Sequence, residues 1–330
     1  MDEEIIRQRE KIVKKLIKRR RMKELEELLN YVEGRHNLRC FPFNNVESKC
    51  QTVRFKDSTY EIVQKTSYKK VKFDSYDFSH ADFNHTIWDY VKFNNCLFDK
   101  TRIFNAIFSG CTFSNSTFID CELTHTLLGG SKPLDYGLFI NTIFRGGSIN
   151  SCHFDYPLFK KCIFECNISD VNFGGTQFVD CTFTGRLNEV IFHGYSKPGT
   201  SNSLFRNMDI PRNDMLNVDF SQAYFDGYSF LGGIEFTNIA LPKSNRLLLI
   251  KKGPKVMNLV RNTIENEWDG EDKRIGLRCI DIESEKIFGG QTQLLHSVDE
   301  NSKHYGESFA MKLASLIIQT QQRVNKEDDG

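Results

Sequence analysis

Ten cysteines and eight histidines are the side chains in this 330-residue chain best suited to metal, redox or nucleophilic chemistry. Their spacing decides whether such chemistry is built in. Cys162 and Cys166 form a C-x-x-x-C pair of the kind that opens a zinc site, but no histidine stands at a spacing that completes one. Seven cysteines (Cys96, Cys111, Cys121, Cys152, Cys162, Cys166 and Cys181) fall at one repeating position, two residues before a large apolar side chain, where a thiol acts as a compact filler. His80, His85, His125 and His153 recur on the opposite, outward side of the same rhythm. Further along, Cys279, Asp281, Glu283, His296 and His304 offer a nucleophile and bases, yet no nucleophile elbow, phosphate loop, HExxH or zinc spacing joins them. The expectation is a protein without catalytic residues, metal, cofactor or small-molecule substrate, and not an enzyme.

The elements that hold these side chains follow a period of five. From Phe73, every fifth residue is large and apolar for twelve steps: Phe73, Phe78, Phe83, Trp88, Phe93, Phe98, Ile103, Phe108, Phe113, Phe118, Leu123 and Leu128. With 39% of the chain hydrophobic, such a run is roughly a 10⁻⁵ coincidence. The residue two before each is small or β-branched in every unit but the one with Tyr76, and in a locally extended chain both point to one interior. The other three positions are rich in Asp, Asn, Ser, Lys and His and suit a short edge followed by a tight turn. A unit this small cannot bury its own apolar residue, so successive coils must stack.

The units read Ala81-Asp82-Phe83-Asn84-His85, Val91-Lys92-Phe93-Asn94-Asn95 and Cys111-Thr112-Phe113-Ser114-Asn115, with others at 116–120, 181–185 and 218–222. This resembles the pentapeptide-repeat family, whose A(D/N)Lxx unit appears here with Phe in place of Leu. The resemblance covers roughly 71–241. It implies a mainly β fold, a right-handed four-sided β-helix, with four units per turn. About eight coils then give a rod on the order of 38 Å long.

The rhythm is lost at 129–137 and resumes with Phe139, Phe144, Ile149, Phe154, Phe159 and Phe164. A one-residue deletion precedes Ile168, Phe173, Phe178 and Phe183, and the pattern is irregular near Leu187 and Phe192. A longer break at 193–203 comes before Phe205, Ile210, Met215, Phe220, Phe225 and Phe230, and Phe236 and Leu241 close the series. Both breaks contain Ser-Lys-Pro and a Tyr, and are expected to project as loops from a rigid column. Lys132, Tyr136, Tyr195 and Lys197 are the candidate partner-binding residues.

Composition divides the rest. Residues 1–34 predict an amphipathic helix or helical hairpin whose heptad phase slips at Arg19; the readings are a cap, or a basic helix docking on nucleic acid, anionic lipid or an acidic partner. Residues 35–70 are expected to cap the column's amino-terminal end. From 242 to 330 the pattern predicts a small α+β capping or interaction domain: strands at 246–252, 277–282 and 285–288, helices at 256–268 and 307–324, and a disordered tail at 325–330.

Residues 71–241 carry 12 Lys and Arg against 18 Asp and Glu, a balance of −6, while 1–70 carry 18 against 11, or +7. The favoured reading is a non-enzymatic scaffold with a protein partner, leaving a homodimer through a terminal domain open. The resemblance adds an alternative, a DNA mimic that binds a type II topoisomerase such as gyrase, which requires acids gathered on one face. A third reading, enzyme or effector activity in the carboxy-terminal domain, requires a pocket around Cys279 or His304. Free buried thiols, no recognisable signal peptide and no long apolar run predict a cytoplasmic protein without a membrane span.

Overall fold

From Lys70 to His125 every fifth residue has a positive φ, between 48° and 62°. Outside glycine this left-handed conformation favours Asn, Asp and His, which occupy seven of these twelve positions. Each such residue makes a corner, and its N–H donates to a carbonyl one coil further on, as from His80 to Asp99 at 2.7 Å and from Tyr90 to Ser109 at 2.8 Å. Between corners the chain runs in short edges that pair in parallel with the edge twenty residues away, as Lys92–Asn94 does with Thr112–Ser114. The result, in a computed structural model describing residues 3–44, 50–55, 58–63, 65–130, 136–195 and 212–328, is a four-sided β-helix closed at both ends by other structure.

Four ladders of large side chains fill the column. One runs Phe73, Phe93, Phe113, Phe139, Phe159, Phe178. The next runs from Phe78 through Phe98, Phe118, Phe144 and Phe164 to Phe183. The third joins Ile103, Leu123, Ile149, Ile168, Leu187 and Phe225, with Phe83 at its start. The fourth joins Tyr68, Trp88, Phe108, Leu128, Phe154, Phe173, Phe192 and Phe230. Rings on one ladder stack, as Phe98 on Phe118 at 4.5 Å and 6°, while neighbouring ladders meet edge to face, as Phe78 and Phe83 at 5.5 Å and 88°. Each buried Phe contributes roughly 1.5–3 kcal/mol before entropy. Every one of these residues is buried except Phe225, which is half-buried on the last coil, where no described strand pairs on the far side of Tyr224–Leu231.

The rhythm extends beyond its sequence limits. Leu38 and Phe43 are buried one coil before Phe78 and Phe83, because Asn37 pairs with Asp77 and Pro42 with Asp82. The segment expected only to cap the column therefore also supplies part of its first coil. A hairpin, Cys50–Phe55 with Ser58–Val63, is inserted before Tyr68. Leu187 and Phe192, irregular in sequence, sit opposite Ile168 and Phe173. Phe205 and Ile210 lie outside the described residues.

At the amino-terminal end, α1 (Glu3–Lys18) and α2 (Met22–Leu28) form a helical hairpin that breaks at Arg20, φ 59°, next to Arg19, where the heptad phase slips. Val13, Ile17 and Leu25 are buried with the column's core, and Lys14 donates to the Asn44 carbonyl at 2.7 Å. At the other end, α3 (Gly253–Glu267), α4 (Gly270–Phe288), α5 (Val298–Tyr305) and α6 (Glu307–Asp328) surround an antiparallel ribbon of Leu247–Ile250 with Leu294–Ser297. This domain is bonded to the last coil: Gln291 Oε1 accepts from the N–H groups of Gly233 and Ile234, and Gln293 Oε1 from Phe236.

Two expectations for this domain are corrected. The segments at 277–282 and 285–288 are not strands but lie in α4, since Gly276, Cys279, Ile280 and Glu283 form one buried helical face. The second strand is Leu294–Ser297, and the tail expected to be disordered is helical to Asp328.

Candidate partner-binding edge and face

Both interruptions leave the column at the same edge, between the Trp88 ladder and the Phe73 ladder. The first follows Leu127–Gly129 and returns at Leu138–Ile140. Its neck is tight: a Cβ on Gly137 would stand 3.0 Å from the Gly129 Cα, and one on Gly129 would meet the Asp155 carbonyl oxygen at 2.1 Å. The second follows Arg186–His193 and returns at Asn213. Leu128 and Phe192 are three rungs apart on their ladder, so the necks are about 14 Å apart.

Of the four candidate residues, Tyr136 is half-buried at the first neck and Tyr195 is exposed at the second, both on this edge. Lys132 and Lys197 lie outside the described residues. The structure adds two residues not selected from the sequence. Tyr90 and Tyr156 turn the chain at the same edge, each ring lying over the glycine of the following coil, Gly110 and Gly175. The signal was a spacing of twenty, visible only when the chain is read across coils.

The face beside this edge changes character along the rod. Its outward residues begin polar, with Lys72, Asp74, Lys92, Asn94, Thr112 and Ser114. Beyond the first interruption they become Leu138, Ile140, Leu158, Lys160, Gln177, Val179 and Leu216. Ile140 and Leu216 are 37% and 44% exposed. An outward apolar patch thus begins where the first loop returns and extends to where the second does. Such a patch, interrupted only by Lys160 and Gln177, is a candidate interaction surface.

The acids do not gather in this way. Asp74 is on the Phe73 face, Asp77, Asp99 and Glu165 on the next, Asp82, Glu122 and Asp226 on the third, and Asp89 and Asp155 on the fourth. Several are neutralised in pairs, Asp82 with Arg102 at 2.8 Å, Asp89 with Lys69 at 2.9 Å and Glu165 with Arg145 at 2.5 Å.

The small inward position is a hydrogen-bonding one. Cys111 Sγ donates to the Trp88 carbonyl at 3.1 Å, Cys121 to Phe98 at 3.1 Å and Cys162 to Phe139 at 3.2 Å, each 23 residues back. Thr101 and Thr126 do the same toward Phe78 and Ile103. Burial pushes the thiols of Cys96, Cys111, Cys121, Cys152 and Cys166 up to about 12. Cys162 and Cys166 occupy two inward positions, and among the described residues no three His, Cys, Asp or Glu side chains converge as a metal site.

The carboxy-terminal domain does hold a cleft of about 370 Å³ between α4, α5 and Tyr228 of the last coil, lined by Cys279, Glu283, His296, Asn301 and His304 among others. Cys279 Sγ faces Asn301 Oδ1 at 3.9 Å, Asn301 Nδ2 bonds His296 Nε2 at 3.0 Å, and His296 Nδ1 lies 3.4 Å from Glu283 Oε1. Burial works to raise the Glu283 carboxyl, but His296 and Lys286 outweigh it and hold it below its ordinary value. The Cys279 thiol is pushed up to about 11 by burial, with an amide rather than a base beside it. The cleft required by the enzyme reading exists, but its thiol is not activated.

Stacked pentapeptide coils, with surface diversity confined to an edge, one face and the ends, define a repeat solenoid that presents surfaces. The family model for pentapeptide repeats matches residues 77–115 as eight copies, so this part of the column is built of pentapeptide repeats. Among solved structures, a trypsin-treated variant of QnrB1, a plasmid-mediated fluoroquinolone resistance protein, is 12% identical over 54% of this chain and 80% of that one, with a TM-score of 0.29. HetL, a pentapeptide-repeat protein involved in heterocyst differentiation regulation in the cyanobacterium Nostoc sp. strain PCC 7120, is 14% identical over 54% and 90%, with a TM-score of 0.19. Similarity at this level carries no argument about partners. No curated protein matches the chain.

Proposed function

We propose that the protein is a non-enzymatic interaction scaffold whose column holds the loop-bearing edge and the adjoining apolar half-face against one protein partner. The observation that carries this reading is the coincidence of the two necks with the outward ladder from Ile140 to Leu216. Tyr136 and Tyr195 supply aromatic contacts at the necks, and Lys132 and Lys197, within the insertions, supply charge. The gyrase-binding DNA mimic remains the alternative, but the dispersal of acids over four faces gives it no support, since duplex charge is dense and continuous.

The test is co-purification with the full chain from its native host after nuclease treatment, read by mass spectrometry. The Ile140→Asp/Leu216→Asp variant is compared with Thr124→Asp/Asn188→Asp, which places the same charges on the Phe83 face. A partner kept by the wild type and the control but lost by the patch variant supports the proposal. Equal recovery by all three overturns it. Recovery of gyrase subunits by all three would favour the alternative.

A further inference from the structure

We propose that the amino-terminal helical cap docks the protein on an anionic lipid surface. Among the described residues sixteen large hydrophobic side chains are exposed, and six of them, Ile5, Ile6, Ile12, Leu28, Tyr31 and Val32, lie in the first 32 residues. The helix α1 already uses Val13 and Ile17 to close the column. Ile5 and Ile12, seven residues apart and so on one side of the helix, face water at 57% and 51% exposure. Ile6 borders a hollow of about 350 Å³ between α1 and the first coil, whose walls include Val13, Leu29, Leu38 and Phe41. Leu28, Tyr31 and Val32, exposed at the end of α2 and just beyond it, carry the apolar surface past α1.

Cations surround it. The helix carries six Lys and Arg against three Glu and is followed at once by Arg19, Arg20 and Arg21. Lys11, Lys15, Lys18, Arg19 and Arg20 are exposed. The combination decides among occupants. Nucleic acid would use the cations and leave Ile5 and Ile12 wet. A second copy would cover the isoleucines by bringing two strongly basic helices together. A layer of anionic headgroups over acyl chains satisfies both, with the lysines among the phosphates and the isoleucines at the acyl boundary. No described helix is long and apolar enough to cross a membrane, so the contact lies along the surface.

Sedimentation of the full chain with phosphatidylcholine vesicles, with and without phosphatidylglycerol, tests this. Binding is expected only to the anionic vesicles and should weaken with salt. Each cation neutralised, as in Lys11→Gln or Lys15→Gln, should lower vesicle affinity about five-fold. Ile5→Ser/Ile12→Ser should weaken binding at unchanged charge, with an unchanged thermal midpoint showing that the cap stays folded. No binding of the wild type to anionic vesicles overturns the proposal. So does an isoleucine variant that binds as well as the wild type, and duplex DNA retained in a mobility-shift assay would then identify a polyanion site instead. A dimer in sedimentation equilibrium that the isoleucine variant abolishes would assign the face to self-association and also overturn it.

Discussion

The side-chain amide of Asn213 donates to the backbone oxygen of His193 at 3.1 Å, tying the residue at which the second insertion returns to the one at which it departs. Asn213 is 2% exposed, and its Oδ1 accepts from the N–H groups of Phe178 at 3.1 Å and Met215 at 3.2 Å. One side chain thus replaces part of a strand, letting a break in the repeat leave the column without unpairing the coil below. The loop-bearing edge is held by this knot.

Asn213→Ala leaves these buried backbone groups without that partner. A stability loss of about 2–3 kcal/mol is expected, read from the urea midpoint at unchanged slope. Asn213→Asp keeps the acceptor but sets a buried carboxylate against the His193 carbonyl oxygen, and should cost at least as much as the alanine variant. A loss below about 0.5 kcal/mol for alanine would show that the neck is held by something other than this residue.

The same neck should be sensitive to acid. Burial holds the His193 imidazole below its ordinary value, and its Nε2 has no hydrogen-bond partner among the described residues. As pH falls through about 6.5, the unfolded chain takes up a proton that the folded chain resists, so stability declines with acidification in that window. His193→Gln should flatten the decline, as measured by thermal midpoints between about pH 7 and about pH 5.5. Parallel curves for the two proteins would assign the acid sensitivity elsewhere.

Thiol chemistry provides a third check. With Cys96, Cys111, Cys121, Cys152 and Cys166 buried and pushed up to about 12, a disulfide reagent at mildly alkaline pH should leave them unmodified in the native protein. Cys40, which is exposed, should react at once, and the others only after denaturation. Mass mapping would distinguish the sites. Rapid native labelling of Cys111 or Cys121 would contradict the packed column, and a large fall in thermal midpoint with chelator would revive a metal site.

The column was legible because its period is written into consecutive residues, and Phe73 to Leu128 required nothing but counting. Leu38 and Phe43 were not, because the hairpin at 50–63 and a single rung on either side break the run before it can be recognised. The tyrosine edge escaped for a related reason, since Tyr90 and Tyr156 become neighbours of Tyr136 and Tyr195 only once the chain is folded into turns of twenty. Asn213 reads as an ordinary loop residue, and its role depends on where the insertion comes back. In the carboxy-terminal domain, 277–282 is apolar at four of six positions and by itself reads as a short strand; only the longer window including Gly276 and Glu283 reveals the helical face of α4.

The register itself can be tested at two residues two positions apart. Phe113 has no exposure and stacks between Phe93 at 4.7 Å and Phe139 at 4.9 Å. Asn115 is an exposed corner residue with φ 50°, bonded sideways to Asn141 at 2.8 Å. Phe113→Ala should cost about 3–5 kcal/mol, and Phe113→Asp, which adds an unpaired buried carboxylate, should abolish soluble expression. Asn115→Asp keeps a residue that tolerates the left-handed corner and the acceptor for Asn141, loses only the donation to Asn94 Oδ1 at 3.2 Å, and should express like the wild type. If the two aspartate variants express alike, residue 113 is not inside the column. The ladders assigned from Phe73 onward would then have to be shifted together, because a stack with one turn per twenty residues cannot move at a single rung.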